Sequence, residues 1–468
     1  MLHMTQRIIV LIAACFAALP SAQVIAQDRP NILFFLSDDH RADVMGCAGH
    51  KVAVTPTLDR LAKQGTRFTN AFVTTSICAA SRATIFTGLV ERTHGHTFGK
   101  PPVSLEHTMG TYSALLQKAG YRTGFTGKYG INTAGNQHQK TFDYFKSVNR
   151  SPYFHKTPDG LKHEADINAD NAIEFLRGST KAKPFCLSVS FNSTHAEDGD
   201  KIDHYPWPPS ADGMFLNKKM PLPRLGDPAI FDAMPDFLKA SMNRDRWHWR
   251  WDTEHKYQVN MRAYFRMLYG MDAAIGRVLD EMEKLGLTQN TIIIFAGDNG
   301  YYMGERGFAG KWSHFEESLR VPLIIVDPRV SAKEKGRVDS HMVLNIDIAP
   351  TMLAYAGVAI PKHYQGVPLG SLTIDEAEVK PVAKWRTDFF CEHLMENKSI
   401  PKWEGVRDER YVYARYLDED FEFLHDLKTD PDQLKNFAKD ASYKDVLAKM
   451  RKRCIDLRDS YGGTYVRP

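Results

Sequence analysis

The sequence predicts an α/β protein in which a large, mainly parallel sheet lies between layers of helices, with a small C-terminal α+β subdomain. Over the first two-thirds of the 468 residues, apolar strand-like runs alternate with helical patterns, which is typical of layered α/β domains. Residues 31–36 are almost continuously apolar, as expected for a strand buried on both faces. After about Leu369 the pattern changes to short strand-like pieces and a terminal helix, which predicts the subdomain.

Individual elements have local signals along the chain. A helix is expected to begin at Pro56, with Thr55 as its cap, and to end at Gly65. Further strands are predicted at residues 123–126, 185–190, 291–296 and 322–326, and a long helix at residues 257–285. Residues 196–251 lack a sustained period and are rich in Pro, Trp, Asp and Lys, so we expect a functional or poorly ordered insertion there.

The first 26 residues are typical of a secretory signal peptide. Arg7 precedes an apolar stretch, and small residues lead to a cleavage position after Ala26. The stretch is too short to span a membrane, and no later one is longer. We therefore predict export to the periplasm or the exterior; a lipoprotein cleavage box at Cys15 is less favoured, because apolar residues continue beyond it. The predicted domains are a leader at 1–26, a catalytic domain at 27–369 and a C-terminal subdomain at 370–468.

Composition excludes several classes of protein. A hydrophobic content of 43% with 25% charged residues is that of an ordinary globular chain. The net charge of +4 offers no basic stripe for nucleic acid. The five cysteines that follow the leader are too few for a disulfide scaffold, and their pairing cannot be deduced from spacing.

Two pairs of oxygen-bearing residues, called the acidic pairs below, follow predicted buried strands. Asp38 and Asp39 come after the first strand, and Asp298 and Asn299 follow the strand at residues 291–296. Ligand sites in open α/β sheets collect at such strand ends. Three carboxylates and an amide oxygen suit Ca²⁺ or Mg²⁺. Each pair alone is better explained as a turn, but two pairs after two buried strands favour a metal site.

Cys78 is the most informative single residue. It is expected where a strand-like segment gives way to a helix, and backbone N–H groups at a helix start favour an anion. Ala79 and Ala80 leave room for a ligand, and Arg82 returns to the same side one turn later. The alternative is a buried structural thiol, which is the usual role of a lone cysteine.

Together these motifs resemble the formylglycine-dependent sulfatases of the alkaline phosphatase superfamily, in which the cysteine of C-x-[PA]-x-R is oxidised to an aldehyde. Residues 78–82 have the C-x-A-x-R form, and residues 298–305 and 311–322 resemble the second half of the family's site. Residues 389–393 and 424–431 are similar to the C-terminal region of glucosamine-6-sulfatase-like members, a type of polysaccharide sulfatase. The resemblance covers nearly the whole chain and implies an alkaline-phosphatase-like fold.

The resemblance also implies roles for individual residues. The implied ligands of one Ca²⁺ ion are Asp38, Asp39, Asp298, Asn299 and the modified Cys78. As 3-oxoalanine (formylglycine), made by a formylglycine-generating maturation enzyme, residue 78 would be the nucleophile, supported by Arg82. Lys128 and Lys311 would grip the sulfate, and His195 would protonate the leaving alcohol. Taken singly, each lysine is better explained as a solvated surface charge, and His195 is equally compatible with a local loop hydrogen bond.

Two positions depart from the family pattern. Ala80 stands where most animal members have proline, a form seen in some bacterial enzymes. The family often has the pattern Gly-Lys-x-His, with a histidine two residues after the lysine. Here Lys128 is followed by Tyr129 and Gly130, so the family's second histidine is missing at that position. The sequence does not identify its replacement. The candidates are His94, His96 or a water molecule, while Asn132 lies one residue beyond the position of a comparable asparagine in related members.

These observations predict an exported, calcium-dependent sulfatase that hydrolyses O-sulfate esters of a polysaccharide or oligosaccharide. Aromatic and basic residues interleave over residues 244–251, where they would either bind sulfated sugar rings or pack the insertion onto the domain. Two alternatives remain, a phosphonate or phosphate ester hydrolase on the same scaffold and a non-catalytic glycan-binding protein with unmodified Cys78. The sugar, the sulfate position, endo or exo action and the oligomeric state are not predicted.

Overall fold

The computed structural model describes residues 29–200, 202–373 and 385–463. The strands are β1 (Asn31–Ser37), β2 (Thr66–Phe72), β3 (Arg122–Gly127), β4 (Tyr144–Ser147), β5 (Phe154–Thr157), β6 (Gly160–His163), β7 (Phe185–Ser190), β8 (Thr291–Gly297), β9 (Tyr302–Met303), β10 (Ala309–Gly310), β11 (Leu323–Val326), β12 (Arg337–Leu344), β13 (Asp388–His393), β14 (Trp403–Asp408), β15 (Tyr411–Tyr416) and β16 (Phe421–Asp426). The α-helices are α1 (Pro56–Gln64), α2 (Cys78–Thr87), α3 (Glu91–His94), α4 (Leu105–Met109), α5 (Tyr112–Lys118), α6 (Glu164–Arg177), α7 (Pro228–Asp232), α8 (Asp236–Lys239), α9 (Met242–Arg250), α10 (Glu254–Lys284), α11 (Glu316–Leu319), α12 (Ile348–Tyr355) and α13 (Lys444–Ser460).

An eight-stranded sheet forms the centre of the molecule, with the order β12-β2-β11-β8-β1-β7-β3-β4. Its pairings are parallel except those of β11, which is antiparallel to β2 and β8. The prediction of a large, mainly parallel sheet is confirmed. The strands predicted over residues 185–190 and 291–296 are the central strands β7 and β8, and the strand predicted over 322–326 is the reversed β11.

Helices cover both faces of this sheet. Alternate side chains of β1 point to opposite faces and therefore belong to two separate cores. Ile32, Phe34 and Leu36 belong to one apolar core, which α2, α5 and α12 complete. Leu33 and Phe35 belong to the other, which α1, α6 and α10 complete. Burial on both faces explains why the strand reads as a continuous apolar run rather than an alternating one.

Helix α1 begins and ends where the sequence predicts, but Thr55 does not cap it through its side chain. The Thr55 hydroxyl instead accepts a hydrogen bond from the Gly46 N–H and donates one to Asp59. The Asp272 carboxylate, on α10, accepts from the N–H groups of Thr57 and Leu58 at 2.9 and 2.8 Å. A residue more than 200 positions away therefore caps the helix, which local sequence does not reveal.

In the insertion at residues 196–251, the residues that the structure describes (all but 201) include helical segments. The insertion contains α7, α8 and α9, and α9 packs against β10. Three strands of the sheet, β2, β4 and β12, were not predicted, because polar or partly exposed residues interrupt their apolar pattern.

The C-terminal part has its own small core. Strands β13 to β16 form an antiparallel sheet, and α13 packs against it through Leu447, Met450 and Cys454. The predicted α+β subdomain is confirmed, whereas its boundary at 369/370 stays a prediction. The predicted leader, with Cys15, lies outside the described residues. Within the described part, no helix is long and apolar enough to cross a membrane.

We expect Asp272→Ala to lower the free energy of unfolding by about 2–4 kcal/mol, because it removes two hydrogen bonds between a carboxylate and a helix N-terminus. The measurement is denaturant unfolding. Asp280→Ala on the same helix is the control, since the Asp280 side chain is 59% exposed and its loss is expected to cost less than about 0.5 kcal/mol. Equal effects of the two substitutions would contradict the assignment of Asp272 as the cap.

Candidate active site

Four neighbouring strands deliver the predicted site residues to one edge of the sheet. In the order β8-β1-β7-β3, their carboxyl ends are followed by Asp298 with Asn299, by Asp38 with Asp39, by His195 and by Lys128. Ser37 pairs with Gly297, so the two acidic pairs lie side by side. The Asn299 amide donates to Asp39 Oδ1 at 2.7 Å, and both acidic pairs are fully buried.

Cys78 is the first residue of α2, after Ile77 in extended conformation, and it is buried. Arg82 lies one turn further along the helix and is also buried. Its Nε donates to Asp298 Oδ2 at 2.8 Å, and its Nη2 lies 3.6 Å from Asp38 Oδ2. The guanidinium therefore links the cysteine helix to both acidic pairs, and its pKa is raised because the charges of Asp298 and Asp38 outweigh the effect of burial.

The two lysines are not surface charges. Lys128 contacts the Asp38 carboxylate, and Lys311 contacts the Asp39 carboxylate and is itself 2% exposed. Burial would lower the pKa of Lys311, but the charges of Asp39, Cys78 and Asp38 outweigh it and raise that pKa above its ordinary value. The Trp312 N–H donates to the Ser76 carbonyl at 3.2 Å, which ties the Lys311 segment to the Cys78 segment.

His195 lies beside the acidic pairs. Its Nε2 is 3.7 Å from Asp39 Oδ2, and its Nδ1 is 2.6 Å from the Ala196 carbonyl oxygen. Because a carbonyl only accepts, the proton of the neutral ring sits on Nδ1, which leaves the Nε2 lone pair facing the site. Burial, followed by the charges of Arg150, Lys311 and Lys128, holds the pKa of His195 well below its ordinary value.

Glu164, at the start of α6, supports the loop that carries His195, and sequence analysis missed it. Its carboxylate is fully buried and accepts hydrogen bonds from the Ser193 N–H and hydroxyl, at 3.1 and 2.7 Å. It also accepts from Asn168 Nδ2 at 2.7 Å and from the Asn192 side chain at 3.3 Å. Nothing in the sequence around Glu164 distinguishes it from an ordinary acidic residue in the first turn of a helix.

Cys78, Lys128, His195 and Lys311 line one cavity of about 620 Å³. Other lining residues include Phe98, Asn149, Arg150, Arg246, Trp312, Met395 and Asn397. A cavity of this size suits a small ligand such as a sugar.

The oxygen atoms of the acidic pairs fit a hard divalent cation. Asp38 Oδ1, Asp39 Oδ2 and Asn299 Oδ1 are buried and have no hydrogen-bond partner among the described residues. Buried polar atoms are normally paired, so these three are candidate ligand atoms. Burial and the nearby Asp38 charge raise the pKa of Asp298. A bound cation would reduce this electrostatic cost of ionising the carboxyl group. Ligand atoms of Asp38, Asp39 and His195 also lie within 4.8 Å of one another.

Several other predicted candidates lie outside this cavity. The candidates for the missing base are bound elsewhere, with His94 Nε2 beside Thr84 at 3.2 Å and His96 Nδ1 beside the Pro101 carbonyl at 2.7 Å. Asn132 donates to the Gly99 carbonyl. In the insertion, Trp251 is buried against Tyr205, so it packs the segment, and of the basic residues at 244–251 only Arg246 lines the cavity.

The fold is an alkaline-phosphatase-like α/β fold with a charged site at one edge of its sheet, and comparison with known proteins gives its family. Residues 30–358 match the family model described as Sulfatase, and residues 304–460 match that of N-sulphoglucosamine sulphohydrolase, C-terminal. The first match covers well over half of the chain, so the chain belongs to the sulfatase family. The predicted class of enzyme, a sulfuric ester hydrolase, is confirmed.

Individual proteins support the same assignment. An N-acetylglucosamine-6-O-sulfatase of Bacteroides thetaiotaomicron is 29% identical over 96% of this chain and 88% of its own length. A solved structure in complex with its substrate D-glucosamine-2-N,6-O-disulfate has a TM-score of 0.78 and 26% identity, covering 92% of this chain and 98% of the other. A phosphonate monoester hydrolase of Agrobacterium radiobacter has a TM-score of 0.77 at 22% identity, covering 94% and 100%, and shows a shared fold alone.

We expect Glu164→Ala to destabilise the protein by about 3 kcal/mol or more, because it leaves several buried donors without an acceptor. The loop that carries His195 loses its anchor in the same variant, so turnover falls as well. Denaturant unfolding and turnover measurements test this, with Glu174→Ala on the same helix as the control, since the Glu174 side chain is 60% exposed. A Glu164→Ala protein as stable as the control would refute the anchoring role.

Proposed function

We propose that this sulfatase hydrolyses O-sulfate esters of a sulfated sugar, with Cys78 converted to formylglycine and a divalent cation, Ca²⁺, at the acidic pairs. The observation that carries the proposal is the convergence of Cys78, two lysines and a histidine on one cavity beside buried carboxylates. This set of groups offers a nucleophile, cations for an anionic ester and a group that can carry a proton.

Asp38, Asp39, Asp298 and Asn299 would hold the cation. When bound, it supplies Lewis-acid polarisation of the sulfate oxygens. Asn299 Oδ1 is available because no described residue donates a hydrogen bond to it, while the amide nitrogen of the same side chain donates to Asp39. Arg82 fixes Asp298 and approaches Asp38, so the carboxylates keep their positions whether or not the substrate is present.

The residue at position 78 would attack sulfur. Its place at the N-terminus of a ten-residue helix favours the developing negative charge. A hydrated aldehyde supplies one hydroxyl to attack and a second whose proton loss expels sulfate and restores the carbonyl. A thiol offers no such route, because nothing would release the sulfate from sulfur.

Lys128 and Lys311 would bind the sulfate oxygens. Each already contacts a carboxylate of the site, so both ammonium groups are held at the inner end of the cavity. His195 would serve the leaving alcohol. Burial is the main cause of the low pKa of His195, and the nearby cations lower it further; a bound sulfate would offset those cations and so favour protonation of Nε2.

Two kinds of observation support a sugar substrate and export. The relative from Bacteroides thetaiotaomicron is named for an N-acetylglucosamine sulfate, and the similar solved structure holds a glucosamine disulfate. The leader predicted at residues 1–26 and a relative named as an extracellular sulfatase support export. A maturation enzyme would then have to modify Cys78.

The test of the proposal compares matched nitrophenyl sulfate, phosphate and phosphonate esters, together with defined sulfated saccharides. Matured protein should release sulfate fastest, and peptide mass spectrometry should find residue 78 as an aldehyde. Faster phosphate or phosphonate release would favour the alternative hydrolase. An unmodified Cys78 in protein that binds glycans without turnover would favour a binding protein.

Cys78→Ala is expected to abolish sulfate release without unfolding the protein, because alanine fits the start of α2 beside Ala79 and Ala80. Sulfate release and circular dichroism measure the two effects. Cys47→Ala is the matched control, since Cys47 lies outside the cavity and should retain full activity. Sulfate release by the Cys78→Ala protein would remove Cys78 from the mechanism.

Lys311→Met is expected to lower kcat by about a hundredfold or more, the usual effect of removing one preorganised group that stabilises the transition state. The side-chain length is kept, so the cavity keeps its shape. Lys284→Met is the control, because the Lys284 side chain is 73% exposed at the end of α10. Kinetics of Lys311→Met close to those of the control would exclude Lys311 from the sulfate site.

A further inference from the structure

We propose that Arg150 and Arg246 form a second anion subsite, so that the preferred substrate carries a second anionic group, a sulfate or a carboxylate, near the sulfate that is cleaved. This inference rests on the proposed function and adds a substrate class to it. Both arginines line the same cavity as Cys78 and the two lysines.

Arg246 is held in place but keeps a free donor. Its Nη2 donates to Asp198 Oδ2 at 2.5 Å, and its guanidinium lies 4.7 Å from the centre of the Trp312 ring. No described residue accepts a hydrogen bond from its Nη1. The side chain is only 13% exposed, so its orientation is fixed before any ligand arrives, which reduces the entropy lost on binding.

The guanidinium group of Arg150 has N–H donors that no described residue uses. Its closest carboxylate oxygen is Glu197 Oε1 at 3.8 Å, beyond hydrogen-bond distance. The Glu197 carboxylate instead accepts from the Ser151 hydroxyl and the Gly199 N–H, at 2.7 and 3.2 Å. Within the described ranges, the guanidinium of Arg150 donates no hydrogen bond at all. A planar group with several free donors suits the oxygens of a sulfate or carboxylate.

The charges at this end of the cavity do not balance. Arg250, fully buried behind Arg246, shares the Asp198 carboxylate with it. Among the described residues, the guanidinium groups of Arg150, Arg246 and Arg250 outnumber by one the two carboxylates that they approach, Asp198 and Glu197. The lysines at the inner end already serve the scissile sulfate, so the surplus charge is available to a different group of the substrate.

The same cavity also has apolar side chains that suit a sugar ring. Phe98, Trp312 and Met395 contribute apolar area to the cavity wall. Aromatic and apolar faces bind the apolar side of a pyranose ring, and the polar groups then select its substituents. The arrangement favours a single ring, or two linked rings, with anionic groups at two positions.

The experiment compares three substrates that share one scissile sulfate: a monosulfated sugar, the same sugar with a second sulfate, and the same sugar linked to a uronic acid. The wild-type kcat/KM should be at least about tenfold higher for one of the two dianionic substrates, as expected for added charge-assisted hydrogen bonds. The arm that shows the preference identifies the second group as sulfate or carboxylate.

Arg150→Met and Arg246→Met should each move the ratio of dianionic to monosulfated kcat/KM toward one. Arg277→Met on α10 is the control and should leave the ratio unchanged, because Arg277 pairs with Asp166 and Asp170 at the surface. The Arg150 guanidinium donates no hydrogen bond to any described residue, so its variant tests the subsite even if Arg246→Met fails to fold.

Equal wild-type rates on all three substrates, or an unchanged ratio in Arg150→Met, would overturn the subsite. Sulfate release would still be present in that case, so the proposed function would stand. Absence of sulfate release from every substrate by protein that carries the aldehyde would instead defeat the proposed function.

Discussion

Three buried carboxylates at one edge of the sheet constrain the rest of the structure. Asp38, Asp39 and Asp298 lie side by side because β1 and β8 are parallel neighbours, and like charges in a dry site raise the free energy of the fold unless cations compensate them. Arg82, Lys128 and Lys311 approach from α2, β3 and β10 and provide part of that compensation. Asp38 Oδ1 and Asp39 Oδ2 have no hydrogen-bond partner among the described residues, which leaves them available to a divalent cation.

The same constraint explains how the site is divided. Lys128 and Lys311 are held by ion pairs with the carboxylates, whereas Arg150 and Arg246 line the same cavity with donors that no described residue uses. Glu164 anchors the His195 loop without touching the cavity, so rigidity of the site comes from a residue outside it. The chemistry is thus concentrated on rigid strand ends, and selectivity is assigned to the loop after β4 and to the insertion.

Much of the fold and site could be predicted from local sequence. The apolar runs of β1, β7 and β8 identify buried parallel strands, and polar residues directly after such strands must meet at one edge, which brought Asp38 and Asp298 together. Long-range contacts could not be predicted in this way. Asp272 caps α1 from another helix, and Glu164 looks in the sequence like any acidic residue in the first turn of a helix. Strands β2 and β12 depend on pairing with other strands, which their own partly polar sequences do not indicate.

The most direct test of the central claim is the divalent metal content of purified wild-type protein, measured by elemental analysis beside Asp39→Ala. If the acidic pairs hold a cation, wild-type protein should retain about one equivalent per chain after exhaustive dialysis, and the variant should retain almost none. Calcium should be the ion that restores binding after chelation. Wild-type protein that releases sulfate at full rate while containing no divalent metal would contradict the account.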